Sequence, residues 1–348
     1  MTITDAIKKA VDRADLSVGE AESVLEQIMT GQCTDAQIAS LLTALRMKGE
    51  TVAELTGFAR VMRRKASRVR PRGAVSAELG GTGREALIDT CGTGGDVSGS
   101  FNVSTATAFV VAGAGVRVAK HGNRSVSSQC GSADVMEALG VKIELSPDRI
   151  ARCVDEVGIG FLHAPLLHDA MKYVALARRQ MGIRTIFNML GPLTNPARAN
   201  TQVAGVYAAH LTELLASVLS ELGAIRALVV HGSDGLDEIT ITAETKITEL
   251  KDDELTTYFV APEDFGLSRA TLTEIQGGDA RQNREIILEV LRGARGPRRD
   301  IVLLNAAAAF VAASRVTDLK EGVSLAAESI DNGKALNKLE QLVEFSNR

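Results

Sequence analysis

Residues 89–107 read DTCGTGGDVSGSFNVSTAT. Gly92, Gly94 and Gly95 crowd between two apolar runs. Glycine takes positive φ without penalty and leaves its amide uncovered, so a turn of this kind is a nest for anionic oxygens. A helix predicted to open at Ser104 and Thr105 would add its positive N-terminal end and two hydroxyls. The pattern is not a P-loop, since no GK[ST] follows, nor a dinucleotide fingerprint, since Val97 stands in the third glycine's place. Taken alone, the stretch reads equally as a tight strand-to-helix turn; its residue types together favour a phosphate ligand.

Three further stretches carry polar chemistry. In AKHGNRSVSSQCGSAD, residues 119–134, Lys120 and Arg124 are cations, Asn123 and the serines are neutral donors, and Gly122 lets backbone approach. A phosphate would be well served there. His121 by itself is as well read as a structural imidazole. In HGSDGLDE, residues 231–238, the adjacent Asp237 and Glu238 can reach one cation. Magnesium takes few protein oxygens and completes its shell with water and phosphate. In HDAMKYVALARRQMGIRTIFNMLGPLTNPA, residues 168–197, a helix carries Lys172, Arg178 and Arg179, preceded by His168 and followed by the rigid turn LGPLTNP. An arginine fork suits a carboxylate, whereas Lys172 and Arg179 read as solvent-facing. Cys91 has no histidine near it in sequence and no G-x-S-x-G elbow occurs, so covalent catalysis is not expected.

Strands must deliver these loops. The segments ALIDTC, VRVAK, VKIEL, IGFLHA, VAGVYAA and ALVVHG read as buried strands. STATAFVVAGAG, GSADVMEALG, PDRIARCVDEVG, HLTELLASVLSELG and the C-terminal segments read as helices. That alternation predicts an α/β domain with a mainly parallel central sheet flanked by helices. In such sheets ligands bind beyond the carboxyl ends of strands, where the polar motifs fall. Residues 1–70 predict a small all-helical domain, with capping boxes at Ser17–Glu20 and Thr51–Glu54, a further start at Thr34–Asp35, and stops at Gly31 and Gly49. The Gly- and Pro-punctuated stretch 71–84 is the expected linker, and 85–348 the α/β domain.

Composition narrows the function classes. The chain has 348 residues, 45% hydrophobic, with a net charge of −4, 3% aromatics and no Trp. Neither a basic nucleic-acid surface nor a base-stacking platform is the default. The four cysteines lie far apart, which argues for reduced thiols. The first residues lack an apolar leader, and the run 108–116 is too short to span a bilayer. A soluble, cytoplasmic protein is expected.

Taken together, GTGGD, NVST, KHGNRSVSS, GIRTIFNMLGPLTNP and DGLDE resemble the anthranilate phosphoribosyltransferases of tryptophan biosynthesis, and the resemblance runs over nearly the whole chain. It implies transfer of phosphoribose from phosphoribosyl pyrophosphate (PRPP) to the amino group of anthranilate, dependent on Mg2+, in a homodimer joined through the helical domain. It also implies that residues 183–200 join that domain. Gly92, Thr93, Gly94, Gly95 and Asp96 would hold the diphosphate with Asn102, Ser104, Thr105 and Lys120. Ser104 would help hold one magnesium, and Asp237 with Glu238 another. Asn123, Arg178 and Gly191 would line the anthranilate path, with His121 and His168 near it and Gly122 and Ser132 completing the binding set. Lys120, Asn123, Arg178 and His121 are the catalytic candidates, His121 as a proton acceptor.

Three positions depart from the family pattern. His163 stands where relatives usually carry an apolar or aromatic residue, Asp169 replaces a common proline, and Gln129 precedes CGSAD. The first two bear on the acceptor side. The alternatives are a pyrimidine-nucleoside-phosphorylase-like enzyme, which would need neither Arg178 nor the acidic pair, and a non-catalytic nucleic-acid-binding relative, which would carry a basic face.

Overall fold

The computed structural model describes residues 1–72, 85–95, 99–125 and 129–348. Asp96 and most of the 71–84 linker lie outside the described residues. The chain opens with helices α1 (Ile3–Val11), α2 (Val18–Met29), α3 (Asp35–Lys48) and α4 (Val52–Lys65). Each begins with a capping box: Thr2 with Asp5, Ser17 with Glu20, Thr34 with Gln37 and Thr51 with Glu54. An N-cap of this kind contributes about 1 kcal/mol. Glu54 does more than cap: it is fully buried and also accepts from the Leu16 N–H at 3.0 Å and Lys48 Nζ at 3.2 Å.

Seven strands follow: β1 (Leu87–Asp89), β2 (Arg117–Gly122), β3 (Ile159–His163), β4 (Thr201–Gly205), β5 (Arg226–Gly232), β6 (Thr245–Lys251) and β7 (Glu254–Val260). They form one sheet in the order β3-β2-β1-β4-β5-β6-β7. The first five are parallel, and β6 and β7 are antiparallel. The sheet is thus mainly parallel, as its alternating pattern predicts. From β1 the chain winds outward through β2 and β3, then returns to lay β4 on the other side of β1. The crevice beyond β1 and β4 is therefore the topological switch point, where open α/β sheets bind ligands.

Two expectations about strands are corrected. VKIEL is not a strand: Val141 and Ile143 are buried in an irregular connection, and the Lys142 N–H donates to Ser346 Oγ at 3.1 Å rather than to a neighbouring strand. Conversely, β6 and β7 form a hairpin that the sequence reading missed. Its two-residue turn is Asp252–Asp253, both at positive φ (52° and 62°), the hand that matches strand twist.

One face of the sheet packs on helix Val103–Gly113 and the buried helix Pro297–Ala312. The other packs on helix Leu211–Glu221 and is continuous with the helical unit. There Leu55, Phe58 and Met62 of α4 share a core with Phe187, Leu190 and Leu193, and with Ala204, Val206 and Val229 of the sheet side. Residues 186–193 are thereby wedged between the helical unit and the sheet. Among the described residues no helix is long and apolar enough to cross a membrane.

Candidate active site

The glycine loop leaves β1 at the switch point. The Thr93 N–H donates to the Gly205 carbonyl at the end of β4 at 2.8 Å, and Thr93 Oγ1 accepts from the Tyr207 N–H at 3.2 Å, so the loop is stitched across the crevice. Gly94 and Gly95 take φ of 64° and 81°, which only glycine adopts without strain. The Gly94 N–H donates to Asp237 Oδ2 at 2.8 Å. A Cβ on Gly92 would stand 2.8 Å from the same oxygen, and one on Gly205 would stand 1.5 Å from the Asp237 carbonyl. The acidic loop after β5 thus lies directly on the glycine loop. It is fixed from below by Asn305, whose amide accepts from the Ile239 N–H and donates back to its carbonyl, both at 2.9 Å. Asp237 and Glu238 are half-buried.

Side chains alternate along β2, so Lys120 and His121 face opposite sides of the sheet. Lys120 is almost fully buried, and its ammonium donates to the Thr90 carbonyl and to Ser104 Oγ, both at 3.2 Å. Ser104 and Thr105 stand in the first turn of helix Val103–Gly113. Thr105 Oγ1 is buried without a hydrogen-bond partner among the described residues. Asn102 makes no cap bond. Its side chain donates to the Cys130 carbonyl at 3.1 Å and accepts from Asn283 Nδ2 at 2.9 Å.

His121 faces the LGPLTN turn. Its Nδ1 lies 3.2 Å from the Gly191 carbonyl, its Nε2 is buried without a partner among the described residues, and its ring meets that of His168 at 5.2 Å. Burial, then the neighbouring His168 ring, holds His121 down to about 3; burial alone holds His168 at about 4. Both rings are neutral at pH 7. The turn is pinned residue by residue. Gln202 Nε2 donates to the Pro192 carbonyl at 2.7 Å, Arg63 Nε to that of Leu193 at 2.7 Å, and Thr194 Oγ1 to that of Leu190 at 2.8 Å. Gly191 itself faces open space, with nothing within 4 Å of where its Cβ would be.

The KHGNR loop folds onto its own following helix. Ser132 Oγ accepts from the Asn123 N–H at 3.2 Å, and a Cβ on Gly122 would collide with that hydroxyl at 2.3 Å. Arg124, read from the sequence as a cation for phosphate, is instead paired with Asp134 at 3.0 Å and Glu137 at 2.6 Å. Arg178 behaves differently. Its guanidinium stacks 5.3 Å from the Phe187 ring centroid and makes no hydrogen bond or ion pair among the described residues. Burial pulls its pKa down. An unpaired, half-buried guanidinium is an attachment point for an anion. His163 is buried against Phe161 with both ring nitrogens unpartnered among the described residues, on the face of β3 opposite that of His121; Asp169 is exposed.

Three residues absent from the sequence-predicted set, Asp89, Arg184 and Gly205, are built into this site. Asp89, fully buried at the end of β1, accepts from the His121 N–H at 3.1 Å and from Asn195 Nδ2 at 2.7 Å. Arg184 donates to the Gly95 carbonyl and stacks over the Tyr207 ring at 4.4 Å. Gly205 supplies the close approach just described. The available signals were a carboxylate ending an apolar strand, and a glycine ending another.

Known proteins are similar to this chain in sequence and fold. The family described as "Glycosyl transferase family, a/b domain" matches residues 84–336, and "Glycosyl transferase family, helical bundle domain" matches residues 4–66. The anthranilate phosphoribosyltransferase of Geotalea uraniireducens is 55% identical, over 99% of each chain. The crystal structure of the Thermus thermophilus enzyme of that name superposes with a TM-score of 0.91 at 42% identity, covering 99% of this chain and 100% of that one. The Saccharomyces cerevisiae enzyme, solved in complex with PRPP and Mg, gives 0.87 at 27% identity, covering 99% and 98%; it has also been solved with 4-fluoroanthranilate. With identity this high over its full length, the chain belongs to the anthranilate phosphoribosyltransferase family.

Proposed function

We infer that this protein transfers the phosphoribosyl group of PRPP to the amino group of anthranilate, releasing diphosphate, in tryptophan biosynthesis. The observation that carries this reading is the contact of Gly94 with Asp237: a glycine nest for phosphates with a carboxylate for a divalent ion built against it. The unpaired Arg178 supports a carboxylate-bearing acceptor.

The chemistry separates charge. The bond from ribose C1 to diphosphate breaks as the amine attacks, so negative charge grows on the leaving group. Amides of the glycine loop and the helix opening at Ser104 face that charge in our reading, preorganised by their own fold. Lys120 acts through Ser104: a hydroxyl that accepts from an ammonium is a stronger donor toward a phosphate oxygen. The carboxylates of Asp237 and Glu238 form an all-oxygen donor set that suits Mg2+, and Ser104 offers a further oxygen. When bound, magnesium would neutralise the diphosphate.

On the acceptor side, Arg178 binds the anthranilate carboxylate and Asn123 and Gly191 bound its path. The amine is neutral already and needs no base before attack. As the C–N bond forms the nitrogen becomes cationic, and its proton passes to the departing diphosphate or to water; His121, neutral with Nδ1–H turned to the Gly191 carbonyl, is too weakly basic to take it and orients the acceptor instead. That revises its expected role from proton acceptor to orienting group.

We further infer a homodimer through the helical unit, where Val11, Met47, Tyr173 and Leu176 are exposed apolar side chains on adjoining helices. The decisive experiment follows anthranilate fluorescence on mixing with PRPP. Loss that requires PRPP, protein and magnesium is expected. PRPP binding without that loss would move the acceptor elsewhere, and absence of PRPP binding would overturn the reading.

A further inference from the structure

Asp89 occupies a place that no substrate contact explains. It ends β1, it is inaccessible to solvent, and its two carboxylate oxygens serve different parts of the fold. Oδ1 accepts from the main-chain N–H of His121 on β2 at 3.1 Å. Oδ2 accepts from Asn195 Nδ2 at 2.7 Å. Both donors of Asn195 are used: its second amide proton goes to the Ala119 carbonyl at 2.8 Å, and its oxygen accepts from the Ala197 N–H at 2.8 Å. Burying a carboxylate costs several kcal/mol unless its lone pairs are met, and the carboxylate here fixes a specific geometry. The backbone of His121 and the LGPLTN turn are tied to one side chain. The turn returns the tie through Gly191, whose carbonyl lies 3.2 Å from His121 Nδ1. The result is a closed circuit running Asp89, Asn195, turn, Gly191, His121 ring, His121 backbone and back to Asp89.

We propose that Asp89 is a positioning residue for the acceptor: by fixing the His121 backbone and the LGPLTN turn to the same carboxylate, it sets where the hydrogen-bonded pair of His121 ring and Gly191 carbonyl stands as one wall of the anthranilate path. This rests on the function proposed above. The PRPP side is separate, since the glycine loop is held by Gly205, Tyr207, Asp237 and Arg184 and makes none of these bonds. The hydrogen bonds of the circuit therefore run to the acceptor side; Lys120, next to His121 on β2, is the PRPP-side group near the Asp89 charge, and Asn195→Ala, which keeps that charge, separates the two.

The test compares Asp89→Asn, Asn195→Ala and the exchange Asp89→Asn/Asn195→Asp with the wild-type protein, measuring anthranilate KM, PRPP KM and melting temperature. In Asp89→Asn an amide N–H faces the Asn195 donor. Loss of one buried, charge-assisted bond corresponds to about a tenfold rise in anthranilate KM, with PRPP KM within about twofold of wild type. Asn195→Ala keeps the carboxylate and frees only the turn, and the same split is expected. The exchange restores a donor–acceptor pair between positions 89 and 195 and recovers part of the anthranilate KM. Equal rises in both KM values in Asn195→Ala, no rise in a folded variant, or an exchange no better than Asp89→Asn would overturn the proposal. Where Asp89→Asn does not fold, Asn195→Ala and the exchange decide. Wild-type turnover is read in the same assay, so failure of the functional reading shows there, separately from any difference among variants.

Discussion

The Gly94 N–H donates to Asp237 Oδ2 at 2.8 Å, joining the loop after β1 to the loop after β5 across the switch point of the sheet. If Asp237 holds both magnesium and the glycine loop, the two roles separate by substitution. Asp237→Asn keeps an oxygen for Gly94 and loses the charge; Asp237→Ala loses both. The asparagine variant should need more magnesium for half-maximal rate, while its PRPP KM at saturating magnesium stays within about threefold of wild type. The alanine variant should raise both by about tenfold, the worth of a hydrogen bond to a charged group. Steady-state rates over a magnesium series measure this. Identical behaviour of the two variants would deny the latch any part in PRPP binding.

Two glycines offer a contrast between fold and path. At Gly205 an added methyl would lie 1.5 Å from the Asp237 carbonyl, backbone against backbone, so β4 and the acidic loop must part. Gly205→Ala should cost about 1–3 kcal/mol of stability and most of the activity. At Gly191 the same methyl meets nothing within 4 Å, and the residue is already helical in φ and ψ. Gly191→Ala should melt like wild type yet raise the anthranilate KM. An unchanged KM would remove Gly191 from the acceptor path.

Arg184 reaches from the segment after helix Lys172–Met181 to the Gly95 carbonyl, with its guanidinium over the Tyr207 ring. A lysine there keeps the charge and loses the planar stack and fork. Arg184→Lys should therefore raise the PRPP KM several-fold and leave the anthranilate KM nearly unchanged, the reverse of the Asp89 variants. Isothermal titration with PRPP gives the comparison without turnover.

The motif loops were legible because their chemistry is local: glycines, hydroxyls and acids within a few residues of a strand end. What was not legible depended on distant partners. Asp89 and Asn195 are 106 positions apart, and nothing in IDT or LTNP announces the other. Arg124 read as a ligand for phosphate because its neighbours are polar; its partners Asp134 and Glu137 are brought round only when the next helix folds. VKIEL has the alternation of a strand but no partner strand. β6 and β7 were not read from the sequence: Thr, Lys and Glu interrupt their apolar residues, and β7 is largely exposed, although Asp252–Asp253 is a hairpin turn by composition.

The exposed apolar side chains of the helical unit give a test of assembly. Val11 and Met47, on α1 and α3, are 65% and 73% exposed. Glutamate at both places a charge on each copy of any symmetric contact there. Val11→Glu/Met47→Glu should run as a monomer by light scattering where the wild type runs as a dimer, with melting above the dimer contribution otherwise preserved. A wild-type monomer at micromolar concentration would remove the dimer proposal.

The buried cluster at the end of β2 makes a prediction whose sign is fixed by three groups. His121 and His168 are held by burial to about 3 and about 4, against 6.5 for a free imidazole. Below 6.5 the unfolded chain binds two protons there that the folded chain refuses. The stability they contribute is complete above 6.5 and is lost as pH falls toward their folded values. Asp89 acts in the opposite sense. Burial, opposed by the nearby Lys120, raises it from 3.8 to about 6. Its contribution is complete below 3.8 and is lost as pH rises through 6. Between about pH 4 and 6 the unfolded chain therefore binds one net proton more at this cluster, and stability rises with pH by about 1.4 kcal/mol per unit. His168→Phe removes one of the two histidines and leaves a ring to pack on His121, so the cluster's slope in that window should vanish. Urea unfolding of both proteins from pH 4.5 to 6 yields the difference curve, in which every other ionisable group cancels. A flat difference would mean that His168 titrates as a hydrated imidazole, and that the pocket between His121 and the turn is open to water.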